Sequence, residues 1–375
     1  MESKKLCKEN KEEDSPKAKD DRPLLKSDSL VSTSSDDAPI IGYDSIDDLE
    51  EKCAAYVRKD VYGTVGCGEL PLHEKILIGI ALITLVPIRI IVGIFLVVLY
   101  YIICRFCTFF SDPNPEEEQE NYEHVIGWRR QVIVTCGKYL SRTMLFVMGF
   151  YWIKETFPES AFREQAEEID RPGVVVSNHV SYLDILYHVC SSFPSFVAKK
   201  SVTRLPLIGL ISKCLGCVYV QREAKSPDSK GVSGIVANRI KKTQENTLSP
   251  ILMLFPEGTT TNGNFLLPFK TGSFLAKVPV LPVLLKYPYE RFSPAWDSIS
   301  GVRHVILLLC QFVNHLEVTH LPIYFPSEQE KADPKLYANN VRNLMATEGN
   351  LTLVDIGLAE KRVYHAALQG LFSQS

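Results

Sequence analysis

The chain has 375 residues, 46% of them hydrophobic and 23% charged, which excludes a wholly disordered protein and leaves enough apolar material for one large core or two modest ones. Its formal charge of -3 conceals a split: residues 1–50 carry 14 acidic and 8 basic side chains, the remainder 30 and 33. So slight a basic excess gives no sign of nucleic-acid binding.

Residues 1–48 are rich in Lys, Glu, Asp and Ser and too poor in large apolar side chains to offset chain entropy, so they read as a disordered tail. They open on charge rather than on a short apolar segment, so no secretory signal is expected and the body should face the cytosol. Within the tail, Asp20-Asp21-Arg22-Pro23-Leu24-Leu25 has the acid-then-dileucine form of trafficking signals and marks a candidate adaptor contact.

A membrane-associated helical region is expected over residues 49–155. Its centre, 76–104, is almost wholly apolar and longer than a hydrocarbon core of about 30 Å requires of a helix. Pro87 and Arg89 interrupt it, which leaves one kinked span and a shallow helical hairpin both open. The shorter run 144–153, Met-Leu-Phe-Val-Met-Gly-Phe-Tyr-Trp-Ile, is too brief to span and reads as an interfacial, re-entrant or buried helix.

From residue 171 apolar runs alternate with helical stretches, the layout of an α/β sheet, and 171–326 is expected to be the catalytic domain. Strands are predicted at 173–177, 196–198, 217–220, 251–255 and 280–285, with helices at 183–191, 208–215 and 232–246. Two polar islands fall just after strands, where open α/β sheets place ligands. The first is Val176-Ser177-Asn178-His179-Val180-Ser181-Tyr182-Leu183-Asp184, with His179 in the turn and Asp184 five residues on in the first helical turn. A bend there would let the carboxylate fix the imidazole tautomer, making His179 a base near neutral pH. The pair could equally be a structural hydrogen bond.

The second island is Phe255-Pro256-Glu257-Gly258-Thr259-Thr260-Thr261-Asn262-Gly263. Gly258 permits close backbone approach, and the threonine hydroxyls could bind glycerol or phosphate oxygens. The alternative is a polar turn closing a strand. Neither Ser177 nor Ser181 lies in a nucleophile elbow, so direct attack between bound substrates is simpler than a covalent serine intermediate. Cys214-Leu215-Gly216-Cys217 reads as ordinary packing, and ten cysteines without a small-scaffold pattern read as reduced thiols. The run 305–313 favours core or membrane-surface contact.

The His-Val-Ser-Tyr-Leu-Asp and Phe-Pro-Glu-Gly-Thr blocks resemble those of the glycerolipid acyltransferases, over roughly residues 173–325. Within that family they look most like lysophospholipid acyltransferases, foremost the plant members acting on lysophosphatidylethanolamine. The resemblance implies a glycerol-3-phosphate-acyltransferase-like α/β sheet flanked by helices, behind an N-terminal transmembrane or re-entrant segment. It implies transfer of an acyl chain from acyl-CoA, a co-substrate rather than a bound cofactor, to a lysophospholipid at the endoplasmic reticulum membrane. By the same matching, His179 and Asp184 would be the catalytic pair. Asn178, Arg222, Glu257, Gly258, Thr259 and Pro282 would bind or shape the substrate site, with Arg222 at its phosphate and Pro282 on a strand edge beside the acyl channel. Lysophosphatidate or glycerol 3-phosphate as acceptor, and a catalytically silent membrane adaptor, are the alternatives. Residues 327–375 are expected to form a helical extension. Asn350-Leu351-Thr352 is a glycosylation sequon that a cytosolic domain leaves unmodified.

Overall fold

The computed structural model describes residues 46–113, 120–158, 172–220, 232–245 and 249–372. Residues 20–25 and Arg222 lie outside them. A seven-stranded sheet carries the site. Its strands are β1 (Ile153–Thr156), β2 (Val174–Ser177), β3 (Ser195–Lys199), β4 (Val218–Val220), β5 (Leu252–Leu254), β7 (Val280–Lys286) and β8 (Leu316–His320), in the order β1-β8-β7-β2-β5-β3-β4. A separate pair joins β6 (Phe265–Leu266) to β9 (Thr352–Leu353). β2 lies between β5 and β7, parallel to both, so the loops leaving these three strands emerge along one edge. Only the β7–β8 pairing is antiparallel in the large sheet.

The valines of β2 explain its central place. Val175 joins one core cluster, with Leu183, Tyr187, Met253 and Val283, while Val174 and Val176 join another, with Ile240, Leu252, Tyr337 and Val341. A strand buried on both faces needs a continuous apolar run, which is what the sequence supplies. The first cluster draws on α3 (Leu85–Cys107), α4 (Gly127–Val147) and α5 (Leu183–Ser191), and the second on α7 (Val232–Glu245) and α10 (Pro334–Gly349). The remaining helices are α1 (Ile46–Lys52), α2 (Leu72–Ile83), α6 (Ile208–Cys214), α8 (Gly301–Cys310), α9 (Glu328–Ala332) and α11 (Leu358–Phe372).

All five predicted strands are present, but the run 144–153 divides. Helix α4 stops at Val147, and β1 begins at Ile153 as an edge strand pairing with β8. The long apolar segment also divides, at Thr84 rather than at Pro87. The Thr84 hydroxyl turns back to the Ile80 carbonyl at 2.7 Å, while Pro87 sits in the first turn of α3, where a backbone N–H has no helical partner to lose. Among the described residues α3 is the one helix long and apolar enough to cross a membrane. It buries Arg89, Leu96, Tyr100 and Cys104 against the body and exposes Ile88, Ile91, Phe95, Ile102 and Phe106. Arg89 donates to the Leu309 carbonyl at 2.8 Å and the Gln311 carbonyl at 2.5 Å, groups at the C-terminus of α8 that no helical N–H reaches.

Pro282 is not on a sheet edge: β7 is an interior strand. Its carbonyl accepts from Leu321 N at 3.0 Å, and the β7–β8 ladder begins only at Val283. Leu321 stands opposite Pro282 in the register, so the missing N–H withholds the reciprocal bond of that pair and the ladder stops there. Every cysteine among the described residues is free, Cys214 and Cys217 both buried.

Candidate active site

The bend that the first island requires is made by Asp184. Its Oδ2 accepts from the backbone N–H groups of Val180 (2.8 Å) and Ser181 (3.0 Å), curling the loop ahead of α5 around the carboxylate, and from His179 Nδ1 at 2.8 Å. Oδ1 accepts from the Tyr287 hydroxyl at 2.6 Å. Asp184 is fully buried in the first turn of α5, its Oδ2 met there by the two loop amides. Since a carboxylate only accepts, His179 Nδ1 carries the proton, and Nε2 presents a lone pair with no hydrogen-bond partner among the described residues. The ring lies flat on Phe255, centroids 3.9 Å apart at 15°, and its side chain is 19% exposed, enough for a substrate to reach it.

The second island holds the first in place. Glu257 is buried, its Oε1 accepting from His179 N at 2.7 Å and its Oε2 from Leu267 N at 3.0 Å. Burial pushes its carboxyl up to about 8, against the opposing pull of those two donors. Thr261 N donates to the His179 carbonyl at 3.0 Å, so both polar groups of the His179 backbone are gripped from this loop. Gly258 has φ +73°, and a Cβ there would strike the end of the Lys270 side chain. Thr259 is half-buried, with no hydrogen bond to its hydroxyl among the described residues. Asn178 pairs with the backbone of β7: Nδ2 donates to the Leu285 carbonyl at 2.9 Å, and Oδ1 accepts from Leu285 N at 2.8 Å. The amide thus continues the β2–β7 pairing past the end of β2.

His179, Asp184, Asn178, Glu257, Gly258 and Thr259 therefore sit together along the edge where β2, β5 and β7 end, while Pro282 lies within β7, beside Val176. Of the serines, Ser177 donates to the Asn178 carbonyl, and Ser181 Oγ is buried without a partner among the described residues. Sequence reasoning missed Tyr287 as a member of the site and placed Phe255 in the second island without giving it a role. Tyr287 directly follows β7, the same strand-end position that marks the two islands, and that was the available signal. It also missed Asn262, whose Nδ2 donates to the carbonyls of Ala54 and Val57 and so fastens the segment after α1 onto this loop. Such an assembly can take a proton from an alcohol at Nε2 and hold the resulting imidazolium beside a fixed carboxylate.

The sequence profile of the Acyltransferase family matches residues 153–286, a stretch that includes both islands. The lysophospholipid acyltransferase LPEAT1 of Arabidopsis thaliana is 56% identical, over 98% of this chain and 96% of that protein. Human lysophosphatidylcholine acyltransferase 2 is 34% identical over 62% of this chain and 41% of its own. Among solved structures, the 1-acyl-sn-glycerophosphate acyltransferase PlsC of Thermotoga maritima aligns with 69% of this chain and 98% of its own, at a TM-score of 0.38 and 17% identity. The match to LPEAT1 spans nearly the whole chain, which is therefore an acyltransferase and belongs to the lysophospholipid acyltransferase family.

Proposed function

We propose that this enzyme moves an acyl chain from acyl-CoA to the sn-2 hydroxyl of a lysophospholipid, foremost lysophosphatidylethanolamine, at the endoplasmic reticulum membrane with its catalytic loops facing the cytosol. The observation that carries the reading is His179: Nδ1 bonded to a buried carboxylate, Nε2 open to an incoming group. His179 Nε2 takes the hydroxyl proton as the alcohol oxygen attacks the thioester carbon. The tetrahedral adduct then expels the thiolate, which recovers the proton from the imidazolium. Asp184 holds the tautomer and stabilises that cation. Asn178 and Glu257 act by fixing the loop, because their polar atoms are engaged by backbone. Thr259, at Gly258 and with an unengaged hydroxyl, is the group on this loop left to meet a substrate oxygen, and Arg222 would take the phosphate.

Membrane association is supported by the exposed apolar face of α3, which continues through Phe109 and Phe110, and the aromatic residues Trp128 and Trp152 are exposed as well. The acceptor head group rests on the likeness of the His179 and Glu257 blocks to enzymes acting on lysophosphatidylethanolamine. The test supplies membranes containing the protein with oleoyl-CoA and, separately, lysophosphatidylethanolamine, lysophosphatidylcholine and lysophosphatidate, beside a His179→Ala control. Histidine-dependent product from the first acceptor is expected. Preference for another acceptor replaces the head group, and product that survives in His179→Ala removes the assigned base.

A further inference from the structure

Behind the catalytic loop, the helix α11 brings one buried lysine to two chain segments. Lys361 Nζ donates to the Thr260 carbonyl and to Thr260 Oγ1, both at 2.8 Å, and to the Trp296 carbonyl at 3.4 Å. Thr260 Oγ1 in turn donates to the same Trp296 carbonyl at 2.6 Å. Each segment also holds one of two successive backbone carbonyls of the β2 loop: Thr261 N donates to the His179 carbonyl (3.0 Å) and Trp296 N to the Val180 carbonyl (2.9 Å). Lys361 is 8% exposed, has no carboxylate within ion-pair distance among the described residues, and stands 5.3 Å above the Tyr56 ring.

We propose that Lys361 is a positioning residue for acyl transfer, its ammonium bracing together the two backbone segments that hold the His179 and Val180 carbonyls and thereby the direction of Nε2. An isolated buried ammonium is costly, and burial does pull Lys361 down to about 8, while Asp297 and Glu257 oppose that fall. A purely structural contact between α11 and the loops would not require a cation there, since an apolar side chain fills such space more cheaply. Three donors converging on one threonine and one carbonyl are what a bracket between two loops needs. The C-terminal helix thus belongs to the catalytic apparatus although it contributes no reacting atom.

The inference rests on His179 as the base, so His179→Ala is assayed in parallel and reports on that reading separately. In the full-length protein in membranes, Lys361→Met is expected to lower kcat by about 10–100-fold, the scale of small misplacements of a reacting group, with both KM values held within about threefold. The control is His365→Leu, which removes a different tie from the same helix, the 3.1 Å bond to the Asp297 carbonyl, and leaves Thr260 untouched. It should lower thermal stability and keep kcat. The proposal is overturned if Lys361→Met keeps kcat within about threefold of wild type, or if its loss is matched by His365→Leu at equal loss of folded protein. Should Lys361→Met fail to accumulate, Lys361→Gln, which retains an amide donor, is judged by the same criteria.

Discussion

The loops that follow β2 and β5 are alike in composition, each a polar island after an apolar strand, and opposite in what they do with their polar atoms. The β2 loop leaves His179 Nε2 open and turns the other polar atoms of its His179 and Asn178 side chains inward, to Asp184 and Leu285. Nearly every group of the β5 loop is engaged: Glu257 on His179 and Leu267, Thr260 on Trp296, Thr261 on His179, Asn262 on the segment 54–57. A motif rich in hydroxyls and carboxylate is thus chiefly a scaffold for the histidine opposite. On the reading proposed above, the open group is the reactive one and its engaged neighbours fix its direction.

That contrast is broken most forcefully at Asp184. In Asp184→Asn the new amide oxygen can still accept from Val180 N, Ser181 N and His179 Nδ1, and its NH2 can donate to the Tyr287 oxygen, so the loop keeps its shape while the charge is lost. Turnover should fall about 10²–10⁴-fold with the thermal midpoint little changed; a mild loss would show that the carboxylate serves only the loop. Glu257→Ala should behave in the opposite sense. It orphans two buried N–H groups and should cost roughly 2–5 kcal/mol in denaturant unfolding. Activity would fall along with it, and a fully stable but inactive Glu257→Ala protein would place Glu257 on the substrate instead.

The pH dependence sharpens the same distinction. The Glu257 carboxyl keeps its proton in the folded protein up to about 8 but loses it near 4.5 when unfolded, so its contribution to stability is intact at low pH and is lost as pH rises through that window. Unfolding free energy should therefore decline between about pH 5 and about pH 8 in the wild type relative to Glu257→Gln, by a few kcal/mol at most. Parallel curves would mean that the two backbone donors outweigh burial. The smallest effect is expected at Thr259→Val, where acceptor KM should rise by about 3–10-fold with kcat and stability nearly unchanged, as fits loss of one hydrogen bond to a substrate. An unchanged KM would remove Thr259 from the binding surface.

The strands around the site were legible because β2, β5 and β7 are buried and apolar along their length. β1 was not, since Ile153-Lys154-Glu155-Thr156 is a mostly exposed edge strand whose first residue merges with the apolar run before it. β8 alternates, with Leu316 and Val318 inside, but five residues give a period of two little room to declare itself. The pairing of His179 with Asp184 could be foreseen because only five positions separate them. The duties of Asn178 and Tyr287 could not: their partners lie 107 and 103 residues away, and a sequence shows that an amide or phenol is present without showing which backbone it meets.

Arg89 imposes an order on the making of this protein. Its partners at the end of α8 lie 220 residues downstream, so at a synthesis rate of roughly 5–20 residues per second α3 has left the ribosome some 10–45 s before they exist. Throughout that interval the guanidinium, on its flexible stem, must be met by water or other polar groups. Only completion of α8 lets the charge withdraw and the helix settle, which makes the final seating of the apolar segment a late event in the making of the chain.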